Sequence, residues 1–186
     1  MSAKIITIAI EKGGTGKTVT ASNLAYLMGD EGKKVLCVDT DPQGNLTKAL
    51  SGGLSITSDE FYGKALYNLF DGFLYHSKTR DFIVETQYEN VDRIPCDAQT
   101  PRINKRIELL IGDAERLKDG DPRKVSGMGD FLCYFLNQVR DDYDYILIDT
   151  QPTRDSLLLS NAIYAADYIL IPAGCEDNSE ESAFRL

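Results

Sequence analysis

No stretch of the 186 residues approaches the roughly 20 consecutive apolar residues that a membrane-spanning helix needs. The opening Met1-Ser2-Ala3-Lys4 turns directly into the apolar run Ile5 to Ile10, too short and too closely followed by charge for a signal peptide. Cysteine is sparse: Cys37, Cys96, Cys133 and Cys175 lie far apart, form no C-x-x-C pair and share no zinc-ligand spacing with the lone His76. Scattered thiols of this kind suit a reducing compartment, so a cytoplasmic protein is expected. Internal repeats are absent. Positive charge is in deficit, because 20 Lys and Arg against 29 Asp and Glu leave a net charge of −9. The chain as a whole therefore repels nucleic-acid phosphates, and DNA binding would need a local basic patch. What remains is 42% hydrophobic and 26% charged residues, an ordinary balance for one domain, 1–186, that buries its own core without a disulfide or metal staple.

Ile5 to Ile10 is a short β-branched run, the pattern of a strand buried on both faces of a parallel sheet. A glycine-rich turn follows, then a helix over Thr18 to Asp30 with Ala21, Leu24, Ala25 and Met28 on one face and Gly32 as a stop. Val35-Leu36-Cys37-Val38 is a second buried strand, which completes a β-α-β unit. Residues 46–127 mix turn residues with a helix expected around Glu60 to Leu74, a strand at Ile107 to Ile111 and an exposed loop over Asp119 to Gly129. Further on, a helix near Asp130 to Arg140, a strand Tyr145 to Asp149, a helix from Ser156 to Ala166 and a strand Tyr168 to Ile171 are expected, with an acidic stretch over 176–182. The alternation predicts an α/β fold: a doubly wound, mostly parallel sheet in three α/β/α layers.

The chemistry gathers at strand ends. Lys12-Gly13-Gly14-Thr15-Gly16-Lys17-Thr18 sits between the first strand and first helix, where free helix N–H groups and the positive dipole end meet an anion. Gly13, Gly14 and Gly16 let backbone wrap phosphate oxygens, Lys17 neutralises β and γ phosphates, and the Thr18 hydroxyl can ligate Mg²⁺. The strict G-x-x-x-x-G-K-[ST] pattern fails at Glu11. Asp39 ends the second strand, Asp41 follows in Asp39-Thr40-Asp41-Pro42-Gln43, and Asp149 ends a later strand. Ligands in such sheets bind outside the carboxyl ends of strands, so these carboxylates are expected to converge on the loop, where they suit Mg²⁺ ligation and alignment of an attacking water.

Lys12 to Thr18 resembles the deviant Walker A motif K-G-G-x-G-K-[ST] of the ParA/Soj/MinD P-loop ATPases. The resemblance extends through Asn23-Leu24-Ala25, Gly32 to Leu36, Asp39 to Asn45, Tyr143 to Asp149 and Ala165-Ala166-Asp167 to Pro172, and the run Asp39 to Asn45 is similar to the ParA/Soj partition branch. It implies an ATP-dependent dimer that hydrolyses ATP with Mg²⁺ in plasmid or chromosome segregation, working with a centromere-binding ParB-like protein. It implies nucleotide contacts from Gly13, Gly14, Thr15, Gly16, Lys17, Thr18 and Val19. Thr18, Asp39 and Asp149 serve the metal on this reading, Asp149 through water. Lys17 is the phosphate-binding lysine, Asp41 positions the hydrolytic water, and Lys12 reaches the partner subunit's nucleotide as an arginine finger would.

Departures from the pattern are Val19, in place of a second Thr, and Thr150-Gln151-Pro152-Thr153, in place of Cys-Pro-Pro-Ser. The resemblance implies a chain that continues past the position of Leu186 with adenine contacts and a basic DNA-binding surface, so residues 1–186 read as C-terminally truncated or as a shortened relative, with non-specific DNA a possible partner that this chain's net charge of −9 disfavours. A nucleotide-binding regulatory or scaffold module with little hydrolysis stays open as an alternative. A MinD-like positioning ATPase needs a C-terminal amphipathic helix, which residues 1–186 do not show. A nitrogenase-type iron-sulfur reductase needs cysteines after the Walker regions, whereas Cys96 and Cys133 precede Asp149.

Overall fold

The computed structural model describes residues 2–153 and 155–173. Strands β1 (Lys4–Ile8), β2 (Val35–Asp39), β3 (Val84–Glu85), β4 (Val91–Ile94), β5 (Tyr145–Asp149) and β6 (Tyr168–Leu170) form one sheet in the order β3-β4-β2-β5-β1-β6. All neighbours pair in parallel except β3, which runs antiparallel to β4. The apolar, β-branched composition of β1, β2 and β5 fits their central places, and β2 is buried at every residue. The expected strands at residues 5–10, 35–38, 145–149 and 168–171 are present with ends shifted by a residue or two.

Helices cover both faces. Helices α1 (Lys17–Asp30) and α2 (Asn45–Leu50) pack with Ile8, Val35, Cys37, Val91 and Leu147. On the other face α3 (Leu66–Asp71), α4 (Ile103–Glu115), α5 (Phe131–Asn137) and α6 (Leu157–Ala165) enclose the larger core. Strand residues divide between the two by parity, with Leu36, Val38, Ile146 and Ile148 on the second face. Phe73 anchors that core with edge-to-face contacts to Phe131 at 4.9 Å and Phe135 at 5.9 Å. Each such fully buried ring stabilises the fold by about 1.5–3 kcal/mol relative to exposure.

Two expectations for the middle of the chain are corrected. Ile107 to Ile111 is not a strand but lies inside α4, whose buried residues Ile103, Ile107, Leu110 and Ala114 recur at spacings of four, three and four, a helical stripe. The helix expected over residues 60–74 is broken: a 3₁₀ turn at Asp59–Phe61 ends before Gly63, whose φ of 72° no helix accepts, and α3 begins only at Leu66. Residues 119–129 form a loop, but not a wholly exposed one, since Val125 joins the core and Arg123 is buried against Asp121 and the Leu74 carbonyl. The acidic stretch 176–182 and Cys175 lie outside the described residues.

The segment after β2 turns through Gly44 at φ 63° directly into α2. A Cβ there would fall 2.1 Å from Ile56 Cγ2 and 2.8 Å from Cys96 Sγ, inside any tolerable contact. Gly44→Ala is therefore expected to lower unfolding free energy by about 2 kcal/mol or more through strain and overpacking. A urea titration checks this, and an unchanged midpoint would contradict the packing described.

Candidate phosphate-binding site

The loop between β1 and α1 is built for close approach to an anion. Gly14 and Gly16 both take left-handed backbone, at φ 74° and 86°, and no side chain caps α1, so its first N–H groups are left for a ligand. Gly13 and Gly14 are exposed, and a Cβ at either would meet nothing within 4 Å, so the room in front of the loop is open. A cavity of about 580 Å³ lies there, lined by residues 13–19, 41–43, 45 and 151–153. It unites the turn after β1 with the segments that leave β2 and β5, as the strand-end reasoning requires.

Lys17 is buried, and its Nζ donates to the carbonyls of Ile10 and Lys12, each at 3.2 Å. Burial lowers its pKa, opposed by the nearby carboxylates of Asp149 and Asp41. The ammonium thus has carbonyl partners only, and a phosphate is a better one. Thr15 Oγ1 donates to the Lys12 carbonyl at 3.3 Å, which closes the turn from inside. Lys12 itself is half-exposed and outside the cavity lining, while Val19 is 61% exposed and lines it without a hydroxyl.

The three aspartates occupy different places. Asp149 is fully buried; its Oδ2 accepts the Thr18 hydroxyl at 2.7 Å, and its Oδ1 has no hydrogen-bond partner. Asp41 lines the cavity and uses Oδ1 to accept the Gln43 amide at 2.9 Å. Asp39 does not line it: Oδ2 accepts both the amide and the hydroxyl of Thr47 at 2.7 Å, and Oδ1 accepts the Asp41 amide at 3.1 Å. One buried carboxylate thus holds both ends of the 41–47 segment, and Asp149, like Asp39, is not among the lining residues. Nothing local in the sequence marks Thr47. Its signal, a hydroxyl residue eight positions after Asp39, carries no meaning until the turn through Gly44 is known.

Thr18 and Asp149 fit a divalent cation. A buried, partnerless carboxylate oxygen beside a threonine hydroxyl is a hard-oxygen pair that leaves most coordination positions to water and phosphate, the habit of Mg²⁺. No cluster of three or more His, Cys, Asp or Glu able to hold a metal alone occurs among the described residues. No helix among the described residues is long and apolar enough to cross a membrane.

Burial dominates the titration of these carboxylates. It raises the Asp39 pKa from 3.8 to about 6 against the hydrogen bonds from Thr47 and Asp41, and raises Asp149 from 3.8 to about 7 against the Thr18 hydrogen bond. Between about pH 4 and about 7 the folded state therefore holds more protons than the unfolded chain, so stability falls as pH rises through this window. The nucleotide-free protein should be more stable at pH 5.5 than at pH 8 by on the order of 2 kcal/mol, and Asp149→Asn should flatten the difference. Equal urea midpoints at the two pH values would contradict the burial of these charges.

Known proteins share this chain's sequence pattern and fold. A family model described as an AAA domain matches residues 3–186. The sporulation initiation inhibitor protein Soj of Bacillus subtilis is 35% identical over 98% of this chain and 63% of its own length. The chromosome partitioning protein ParA of Caulobacter vibrioides is 30% identical over 93% of this chain and 57% of its own length. The chain thus spans about half to two-thirds of these relatives. An ATP complex of a McdA variant from Cyanothece superimposes with a TM-score of 0.78 at 28% identity, covering 99% of this chain and 61% of that one. A partition protein from Borrelia burgdorferi bound to AMPPNP gives 0.74 at 26% identity over 100% of this chain and 68% of its own. With a glycine-rich loop, a buried lysine and a strand-end carboxylate in place on a mostly parallel sheet, the chain belongs to this AAA-domain family, among the ParA/Soj/MinD P-loop ATPases.

Proposed function

We propose that this chain binds ATP with Mg²⁺ at the loop of residues 12–18 and hydrolyses it, as part of an ATP-dependent dimer that serves plasmid or chromosome segregation. The observation that carries this reading is the pairing of a buried lysine held only by loop carbonyls with the partnerless Oδ1 of Asp149 beside the Thr18 hydroxyl. Such groups are left incomplete by the protein and are completed by a phosphate and a cation. The partition proteins among its relatives support the cellular role, with a ParB-like centromere-binding protein as partner. Non-specific DNA binding is not assigned to the residues present, whose net charge is −9.

On this reading the backbone of residues 13–16 and the first N–H groups of α1 cradle the β and γ phosphates, and Lys17 exchanges its carbonyl partners for phosphate oxygens. Magnesium, when bound, would neutralise charge on the β and γ phosphates, with Thr18 and Asp149 as the groups that hold it or its waters. Asp41 accepts a proton from the attacking water through Oδ2, because Oδ1 is engaged by Gln43. Lys12 acts across the dimer on the partner's phosphates. The regulatory-module alternative draws on Val19, an apolar residue in the cavity, and is separated by measuring phosphate release.

Lys17→Ala should weaken ATP binding by about 100-fold or more, since a charge-assisted contact to phosphate is lost, with calorimetric titration as the check. Asp41→Ala should leave ATP affinity within about threefold and slow single-turnover hydrolysis by about 100-fold. Normal turnover in that variant removes Asp41 from the mechanism. Lys12→Ala should preserve nucleotide binding by the monomer and abolish ATP-dependent dimerisation; light scattering on Asp41→Ala and on the Asp41→Ala, Lys12→Ala double variant reads this directly. Equal dimerisation of the two would overturn the cross-subunit role.

A further inference from the structure

Gln151, in the loop that leaves β5, lines the phosphate-loop cavity and has no role in the scheme above. It stands two residues past Asp149, as Asp41 stands two residues past Asp39, and the two aspartates are register partners on adjacent parallel strands. The pairing persists beyond the strands, because Thr40 donates to the Asp149 carbonyl through its amide at 3.0 Å and its hydroxyl at 2.7 Å. Neighbouring strands lie about 4.8 Å apart, so the segments carrying Asp41 and Gln151 leave the sheet side by side.

A chain of hydrogen bonds fixes which end of the Gln151 amide faces the cavity. Asn104 Oδ1 accepts the Leu158 amide at 3.0 Å and lies 3.3 Å from Ser156 Oγ. A carbonyl oxygen cannot donate, so the Ser156 hydroxyl gives its single proton to Asn104. Its lone pairs then accept the Leu159 amide at 3.3 Å, capping α6, and Gln151 Nε2 at 2.8 Å. Ser156 is not part of the cavity lining, so with Nε2 turned toward it the Gln151 carbonyl oxygen is the end of the amide left for the cavity. An acceptor there is repelled by phosphate oxygens and satisfied by a water proton.

We propose that Gln151 is a second catalytic residue for the hydrolysis reading above, on which this inference rests: its Oε1 accepts one proton of the attacking water in a hydrogen bond while Asp41 accepts the other. The water oxygen forms the new bond to the γ-phosphorus as the bond to the β–γ bridging oxygen breaks, and ADP leaves with that electron pair. The water proton held by Asp41 is released to solvent or phosphate, and the neutral amide takes up none. Ser156 and Asn104 touch no substrate and are positioning residues for the amide.

The test is single-turnover hydrolysis and ATP affinity for the full chain, its Asp41→Ala reference, Gln151→Leu, and Ser156→Gly, a substitution that helix N-caps tolerate. Gln151→Leu, nearly the same shape without the acceptor, should lower the hydrolysis rate by about tenfold or more with ATP affinity held within about twofold. Ser156→Gly should lower the rate by a smaller factor, again at unchanged affinity, which a merely structural serine would not do. A wild-type rate in Gln151→Leu beside a slow Asp41→Ala overturns this proposal and spares the hydrolysis reading. Loss of affinity in parallel with rate also overturns it, by making Gln151 a binding residue. No phosphate release by the unsubstituted chain overturns the hydrolysis reading itself, whereas a wild-type rate in Asp41→Ala removes Asp41 alone.

Discussion

The parallel register of β5 between β1 and β2 is the constraint on which the site depends. Ile8, Asp149 and Asp39 stand at one level across the three central strands, and Thr40 extends the ladder past the strand ends. Among the described residues, those lining the cavity leave the sheet close to that line: the glycine loop after β1, Asp41 after β2 and Gln151 after β5. Slipping one strand by a residue would send its apolar side chains to the wrong face and its carboxylate out of reach. The burial of Leu36, Val38, Ile146 and Ile148 on one face, against Val35, Cys37 and Leu147 on the other, is therefore also what fixes the spacing of the functional groups.

Electrostatics at this line is unbalanced in the protein alone. Two buried carboxylates, Asp39 and Asp149, are raised toward neutrality by desolvation, and a buried lysine is held by carbonyls. Asp39 offsets its burial with three hydrogen bonds from Thr47 and the Asp41 amide. Asp149 has one, from Thr18, and keeps an oxygen without a partner. That difference is invisible in two aspartates that both end buried strands, and on the proposed function it leaves Asp149 an oxygen for a cation.

The central strands and the phosphate loop were legible in sequence because apolar runs ending in aspartate and a glycine-lysine turn carry their meaning locally. Residues 46–127 were less so, for identifiable reasons. Ile107 to Ile111 looks like a strand when read as five residues, and only the longer window reaching Ile103 and Ala114 shows the helical spacing. Strand β4 is four residues with Asp92 and Arg93 in its middle, and Arg93 is buried there only because Leu50, Glu60 and Phe61 surround its guanidinium. These are partnerships across dozens of residues that no local pattern encodes. The same holds for the site: the glycine-lysine turn is local, whereas the hydrogen bonds of Asp39 and Gln151 depend on Thr47, Ser156 and Asn104.

A structure of the chain with Mg²⁺ and a non-hydrolysable ATP analogue tests the central claim most directly. The account predicts that Lys17 Nζ leaves the Ile10 and Lys12 carbonyls for phosphate oxygens, that a cation sits beside the Thr18 hydroxyl and Asp149, and that Asp39 keeps its bonds to Thr47. An analogue bound elsewhere, or one bound at the loop with Lys17 still on those carbonyls and no cation near Thr18, would contradict it.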